Sequence, residues 1–294
     1  FSMMRKLIWL ICLVALMEGS LSLTAAHGES EGEAHAMDSS TIIRFGARVG
    51  EKDFACGITY EGLGAESSTV NVTDFRLYVS NIRLINAAGE EVPLMLKQDG
   101  LWQHEGTALL DFEDGAAGCA DTGNDALNTK VVGDLPEGEY TGLVFELGVP
   151  FELNHLDASV APSPLNVAAM WWVWQVGYKF VRIDLMADGQ PWFIHLGSTD
   201  CESADFNTPP ESPCGAPNRV EVRFESFNPA HDIVTVDLAS VVEGIDLSTS
   251  QPEPPGCMSG KDDADCTILF PNLGLSLETG LPDAAVVQKL FRVS

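Results

Sequence analysis

The chain has 294 residues, 45% of them hydrophobic, with 43 acidic against 16 basic residues and a formal net charge of −27. Apolar content at that level excludes an intrinsically disordered chain, and the acidity argues against nucleic acid and anionic membrane surfaces as partners. Such a charge keeps an exported protein soluble and leaves cations or a basic protein as its electrostatic partners.

The N-terminal segment reads as a secretory signal peptide. Arg5 and Lys6 give it a positive start, an apolar run follows from Leu7 to Met17, and Thr24-Ala25-Ala26 supplies small residues for cleavage. The apolar run is shorter than a membrane span requires. Assigning residues 1–26 to this signal places the mature chain in the periplasm or outside the cell, without membrane insertion. Residues 27–40 are polar and aperiodic, which predicts a disordered leader. Cleavage after Ala26 would make His27 the N-terminal residue, able to chelate copper through its amine and imidazole.

From residue 41 to 294 the pattern predicts one antiparallel β-sandwich with long, disulfide-clipped loops. Ile43, Phe45, Ala47 and Val49 alternate with polar positions, as do Phe75, Leu77 and Val79, and later Val220, Val222 and Phe224. Period-two alternation marks strands with one buried and one solvated face, here placing Arg76, Tyr78 and Ser80 on the solvated side. Asp99-Gly100, Asp114-Gly115 and Asp188-Gly189 are hairpin-type dipeptides. Leu135-Pro-Glu-Gly138 presets a turn before a strand from Tyr140 to Leu147. The Pro-, Gly- and Asp-rich stretch from Ser248 to Asp265 reads as a surface excursion.

Cys12 falls in the signal, so six cysteines remain, an even count that reads as disulfides in an exported protein. Spacing favours local closure of Cys201 with Cys214 and of Cys257 with Cys266, which leaves Cys56 with Cys119. No Cys-x-x-Cys occurs, which argues against a zinc knuckle or attached c-type haem.

Chemistry concentrates in three stretches. Trp171, Trp172 and Trp174 lie within four positions, directly after Met170, on a predicted strand whose alternation puts Trp172 and Trp174 on one face. His155 and Asp157 precede this strand and His195 follows it. Imidazole suits copper and zinc, and a thioether such as that of Met170 favours copper(I). Asp157 could ligate or orient an imidazole. Trp102-Gln-His104 is an alternative indole–imidazole pair. Hydrolase and nucleotide signatures are missing: there is no Gly-x-Ser-x-Gly, His-Glu-x-x-His or phosphate-cradling glycine loop.

The order Cys56-Gly-x-x-Tyr60, Thr73-Asp-Phe-Arg-Leu-Tyr-Val79, Leu110-Asp-Phe-Glu-Asp114, Gly148-Val-Pro-Phe151, Asn154-His-Leu-Asp157, Met170-Trp-Trp-x-Trp174, Gly177-Tyr-Lys-Phe-x-Arg182 and His195-Leu-Gly-Ser-Thr199 resembles the MbnP family. These are bacterial periplasmic proteins, the four-Cys members of a "metallo-mystery pair". Copper proteins of the MopE and CorA type are more distant relatives. The resemblance implies a non-enzymatic protein of copper homeostasis, with copper as its bound ion. It also implies a di-haem c-type MauG-like (MbnH-like) peroxidase partner, which oxidises a tryptophan to kynurenine at or near the copper. Carried onto this chain, His155 and His195 become the ligands, with Met170 and Asp157 as further candidates. Trp172 or Trp174 becomes the oxidised residue, with Trp171 beside them. Cys56, Cys119, Cys201 and Cys214 match the four cysteines, and Cys257 with Cys266 departs as an extra pair. Trp102 and His104 compete, because the MopE type uses a Trp-x-His arrangement. An aryl amine is a weaker donor than imidazole, which favours copper(I). Two readings of other classes stand beside this one: a copper-dependent oxidase or oxygenase using His27, and a structural or adhesive sandwich in which the His and Trp residues only pack.

Overall fold

Asp188 and Gly189 adopt φ of 47° and 81°, the positive pair that a two-residue hairpin turn requires. They join Val181–Ala187 to Gln190–Leu196, whose register runs from Val181 opposite Leu196 to Ala187 opposite Gln190. This hairpin lies in the larger of the two main sheets in the computed structural model, which describes residues 40–119, 125–250 and 254–294. The expected signal peptide and nearly all of the leader, His27 included, lie outside the described residues.

The larger sheet runs in the order Val220–Phe224, Tyr140–Leu147, Ser68–Asn86, Val181–Ala187, Gln190–Leu196 and Gly256–Cys257, with Thr59–Leu63, Glu91–Pro93 and Thr107–Asp111 also paired to the long central strand. The smaller sheet runs Phe291–Val293, Ile233–Asp237, Ser40–Val49, Lys130–Asp134 and Met95–Leu96. Their inner faces share one core. Phe45 of the smaller sheet meets Phe145 of the larger edge-on at 5.7 Å, and Phe145 meets Phe291 at 5.0 Å, the quadrupole-favoured arrangement. The architecture is the expected all-β sandwich. The expected disulfides are present as Cys56–Cys119, Cys201–Cys214 and Cys257–Cys266.

Two departures matter. First, the pairing is mixed: Ser40–Val49 runs parallel to Ile233–Asp237, and Gln190–Leu196 parallel to Gly256–Cys257. Both partners are remote in sequence, so no tight turn dictates their direction. Second, the stretch after Ser248 is not simply a surface excursion, since its described part returns to the sheet edge. Cys257 and Ser259 are each 1% exposed. Gly256 sits at φ 82°, where a Cβ would fall 2.3 Å from the Phe193 backbone, so only glycine permits this edge strand.

Candidate metal centre

The long strand also fails to alternate as expected. Every residue from Asp74 to Ser80 is buried, with Arg76, Tyr78 and Ser80 at 2% exposure or less, because its outer face carries a cover built from residues 148–180. Tyr78 Oη donates to the Pro164 carbonyl at 2.9 Å and Tyr178 Oη to that of Leu165. The two rings meet edge-on at 5.8 Å. The tryptophan strand belongs to this cover rather than to the core. Trp171–Val173 pairs with Gly177–Tyr178 as a small separate hairpin, and Trp171, Trp172 and Trp174 are all half-buried. They do not share surroundings: Trp174 packs edge-on against Trp171 at 5.6 Å, while Trp172 packs edge-on against His195 at 6.2 Å.

Under the cover, the outer face of the sheet carries a row of buried charges. Register places Asp74 opposite Asp184, and Arg76 opposite Arg182, which is itself opposite His195. Like charges face each other directly, so neutralisation runs along each strand and across the diagonal. Arg76 grips both oxygens of Asp74. Arg182 lies 3.2 Å from Asp74 and donates to Asp184 at 2.6 Å and 3.0 Å. The row ends where His195 Nε2 meets Asp184 Oδ1 at 2.6 Å.

Burial acts on Asp74, Asp184 and His195. It would raise the Asp184 carboxyl, but bonds from His195 and Arg182 outweigh it and hold the group below the usual carboxylate range. Asp74 goes the other way, burial prevailing over Arg76 and Arg182. Burial draws the His195 imidazole below its ordinary value against the pull of Asp184. The imidazole is then neutral at pH 7, with Nε2–H donated to the carboxylate and the lone pair left on Nδ1. That is the arrangement in which a carboxylate orients a metal-binding histidine.

His195 opens onto a cavity of about 480 Å³ that Trp172, Lys179, Phe193, Pro254 and Met258 also line. Phe193 stacks on the imidazole at 5.4 Å with planes 7° apart. Lys179 Nζ lies 5.8 Å over the Trp172 ring and donates to the Ala169 carbonyl at 2.9 Å. Burial and then the Arg182 charge pull this amine down to about 8. Trp172 rests on Gly197, where a Cβ would stand 2.5 Å from the indole. Ser259 Oγ donates to the His195 carbonyl at 2.8 Å and accepts from Gly197 N–H at 2.9 Å. The returning edge strand therefore braces both the histidine and the tryptophan's seat.

The other sequence candidates lie elsewhere. His155 does not line the cavity. Its Nδ1 is 3.0 Å from the Trp174 carbonyl and its Nε2 3.2 Å from Asn154 Nδ2 and 3.7 Å from Cys214 Sγ. Asp157 caps its own turn, accepting from Ser159 N–H and Oγ–H. Met170 is fully buried in the core. His104 reaches only the exposed Glu105 carboxylate, at 3.8 Å. Met258 is the thioether that sequence reading missed. Its signal was its place directly after Cys257, but nothing local shows that this half-cystine returns to the strand carrying His195.

A β-sandwich whose cavity sets a pinned imidazole and a thioether beside an indole, above a buried charge row, is a candidate metal-binding architecture. The sequence profile of MbnP matches residues 38–259, and the chain belongs to the MbnP family. It is similar to the structure of MbnP from Methylosinus trichosporium at 32% identity and a TM-score of 0.75, over 86% of this chain and 97% of that one. No curated protein matches the chain. Among the described residues, no helix is long and apolar enough to cross a membrane.

Proposed function

We propose that this is an exported, non-enzymatic copper-binding protein of copper homeostasis, holding copper(I) at the cavity between Trp172, His195 and Met258. The observation that carries the reading is the edge-on contact of Trp172 with His195, whose Nε2 is committed to Asp184. An imidazole and a thioether are borderline and soft donors that suit copper(I). Met258 takes the role expected of Met170, which is sealed in the core. His155, which does not line the cavity, is left out of the set.

Trp172 supplies no donor as an indole. Oxidation to kynurenine by a di-haem c-type MauG-like partner, with peroxide as the oxidant, would cleave its C2–C3 bond, release C2 as formate on hydrolysis and leave an aryl amine beside His195. Trp171 and Trp174, in edge contact with each other, are the neighbouring aromatic rings through which a remote haem could draw electrons. Peptide mass spectrometry after co-expression with the partner should show a kynurenine-sized shift at Trp172, not at Trp171, Trp174 or Trp102. Copper(I) titration should then fail in His195→Ala and weaken in Met258→Leu. Full binding in both variants removes the proposed ligands, and modification confined to Trp102 moves the site to the competing pair.

A further inference from the structure

His155 has an unassigned neighbour. Its Nε2 stands 3.7 Å from Cys214 Sγ, and the ligand atoms of His155, Cys201 and Cys214 all lie within 4.8 Å of one another. From Zn–N and Zn–S bond lengths, the nitrogen–sulfur edge of a tetrahedral zinc site is about 3.6 Å. The imidazole and one sulfur thus already hold the separation of two ligands on one ion. We infer that two-electron reduction of Cys201–Cys214 opens a Cys2His site for a thiophilic d10 cation, separate from the Trp172 cavity.

Three features support it. The imidazole is set for coordination: Tyr178 N–H donates to Asn154 Oδ1 at 2.9 Å, which turns the Asn154 amide nitrogen toward His155 Nε2. That nitrogen is therefore the unprotonated one, Nδ1–H goes to the Trp174 carbonyl at 3.0 Å, and a cation at the sulfurs would take over the Nε2 lone pair that now accepts from Asn154 Nδ2. A backbone carbonyl fixing the far nitrogen is the usual support of a metal-bound histidine. Next, the cysteines are held together without their bond. The base of their loop is closed by Thr199 N–H to Ala216 O at 2.9 Å, Ala216 N–H to Thr199 O at 3.1 Å and Gly215 N–H to Asp200 O at 2.9 Å. Gln175 Nε2 also holds the Cys201 carbonyl at 3.0 Å. Reduction therefore need only let the sulfurs part from bonding distance to the edge of a coordination polyhedron. Finally, this pair differs from the other two disulfides, whose third donor in reach is a carboxylate, Glu113 or Asp263. A carboxylate is a hard ligand, whereas imidazole completes a set that suits zinc or copper(I).

The chemistry balances with an external dithiol as reductant. Its two thiols give two electrons and two protons to the Cys201–Cys214 bond and leave as a disulfide. A divalent cation then displaces the two cysteine protons and takes both thiolates with the neutral imidazole.

The test uses the full mature chain, a graded phosphine reductant, zinc(II) as probe, and alkylation mapping to show which cysteines are free. With Cys201 and Cys214 reduced, one equivalent of zinc should bind and protect both from alkylation. The oxidised protein and the Cys201→Ser/Cys214→Ser variant should lack this site. His155→Ala and His155→Gln, each checked for fold by circular dichroism, should weaken zinc by more than the about 10–100-fold typical of losing a supporting group. Undiminished affinity in both His155 variants overturns the site. So does a reduced pair that takes no zinc, or a pair that stays oxidised until the protein unfolds.

Discussion

Replacing Asp184 by Asn keeps the shape of the side chain and removes the charge that joins His195 to the buried row. The carboxylate accepts from His195 Nε2 at 2.6 Å and from Arg182 at 2.6 Å and 3.0 Å. An amide has one acceptor oxygen, so one donor must face an NH2 group. The loss is one charge-assisted hydrogen bond, about 1.5–3 kcal/mol. Arg182 keeps Asp74 at 3.2 Å, so the larger penalty of an unpaired buried charge, about 3–5 kcal/mol, should not appear in full. Expected destabilisation is therefore about 2–3 kcal/mol, measured by denaturant unfolding with an unchanged slope. Copper(I) affinity, read by competition with a chromophoric chelator, should fall by about 10–100-fold because the imidazole is no longer oriented. A stability loss with unchanged affinity would refute the positioning role, and no change in either would refute the row itself.

Three further outcomes follow from the same geometry. Gly197→Ala puts a methyl 2.5 Å from the Trp172 ring and 2.7 Å from the Tyr178 carbonyl oxygen. It should cost about 1–3 kcal/mol and abolish kynurenine formation, and a fully modified variant would unseat Trp172 as the target. Cys257→Ala/Cys266→Ala removes a bridge of sequence separation 9, worth about 2.6 kcal/mol on the loop-entropy relation. It should also weaken copper(I) by loosening Met258, and calorimetry with a parallel titration reports both. Lys179 is depressed from 10.5 to about 8 by burial and then by Arg182. The unfolded chain binds a proton that the folded chain has shed between those values, so stability should rise with pH across that window. A flat profile in wild type, or an unaltered rise in Lys179→Met, would contradict the assignment.

Much of the scaffold was legible because it is local. Alternation at Ile43–Val49, the Asp188-Gly189 turn and the short Cys201–Cys214 and Cys257–Cys266 separations each act within a few residues, and the structure has them as expected. What sequence could not show depends on contacts remote along the chain. Arg76, Tyr78 and Ser80 read as solvated positions, since alternation cannot register that a second layer from residues 148–180 will cover that face. Met258 reaches the His195 strand only through a parallel pairing that no turn signals. The two histidines look equivalent in sequence, each in an apolar context near the tryptophans. They part in space because one is paired to a carboxylate and the other to a disulfide.

That difference bears on why a buried charge row persists at all. Asp74, Arg76, Arg182 and Asp184 are formally balanced, and apolar replacement of such groups is often neutral or stabilising. Stability alone therefore does not explain them. What an apolar row could not do is fix the tautomer and angle of His195 beneath the cover, since only a carboxylate held from below by Arg182 presents one oxygen to Nε2 and none to Nδ1. A double-mutant cycle between Arg182→Met and Asp184→Asn separates the two roles. If the row serves the imidazole, copper(I) affinity drops in each single variant and the double variant falls little further, whereas stability in the double recovers part of the loss seen in Arg182→Met alone. Additive losses in affinity would mean that Arg182 acts on the metal independently of Asp184, and the mount would have to be sought elsewhere.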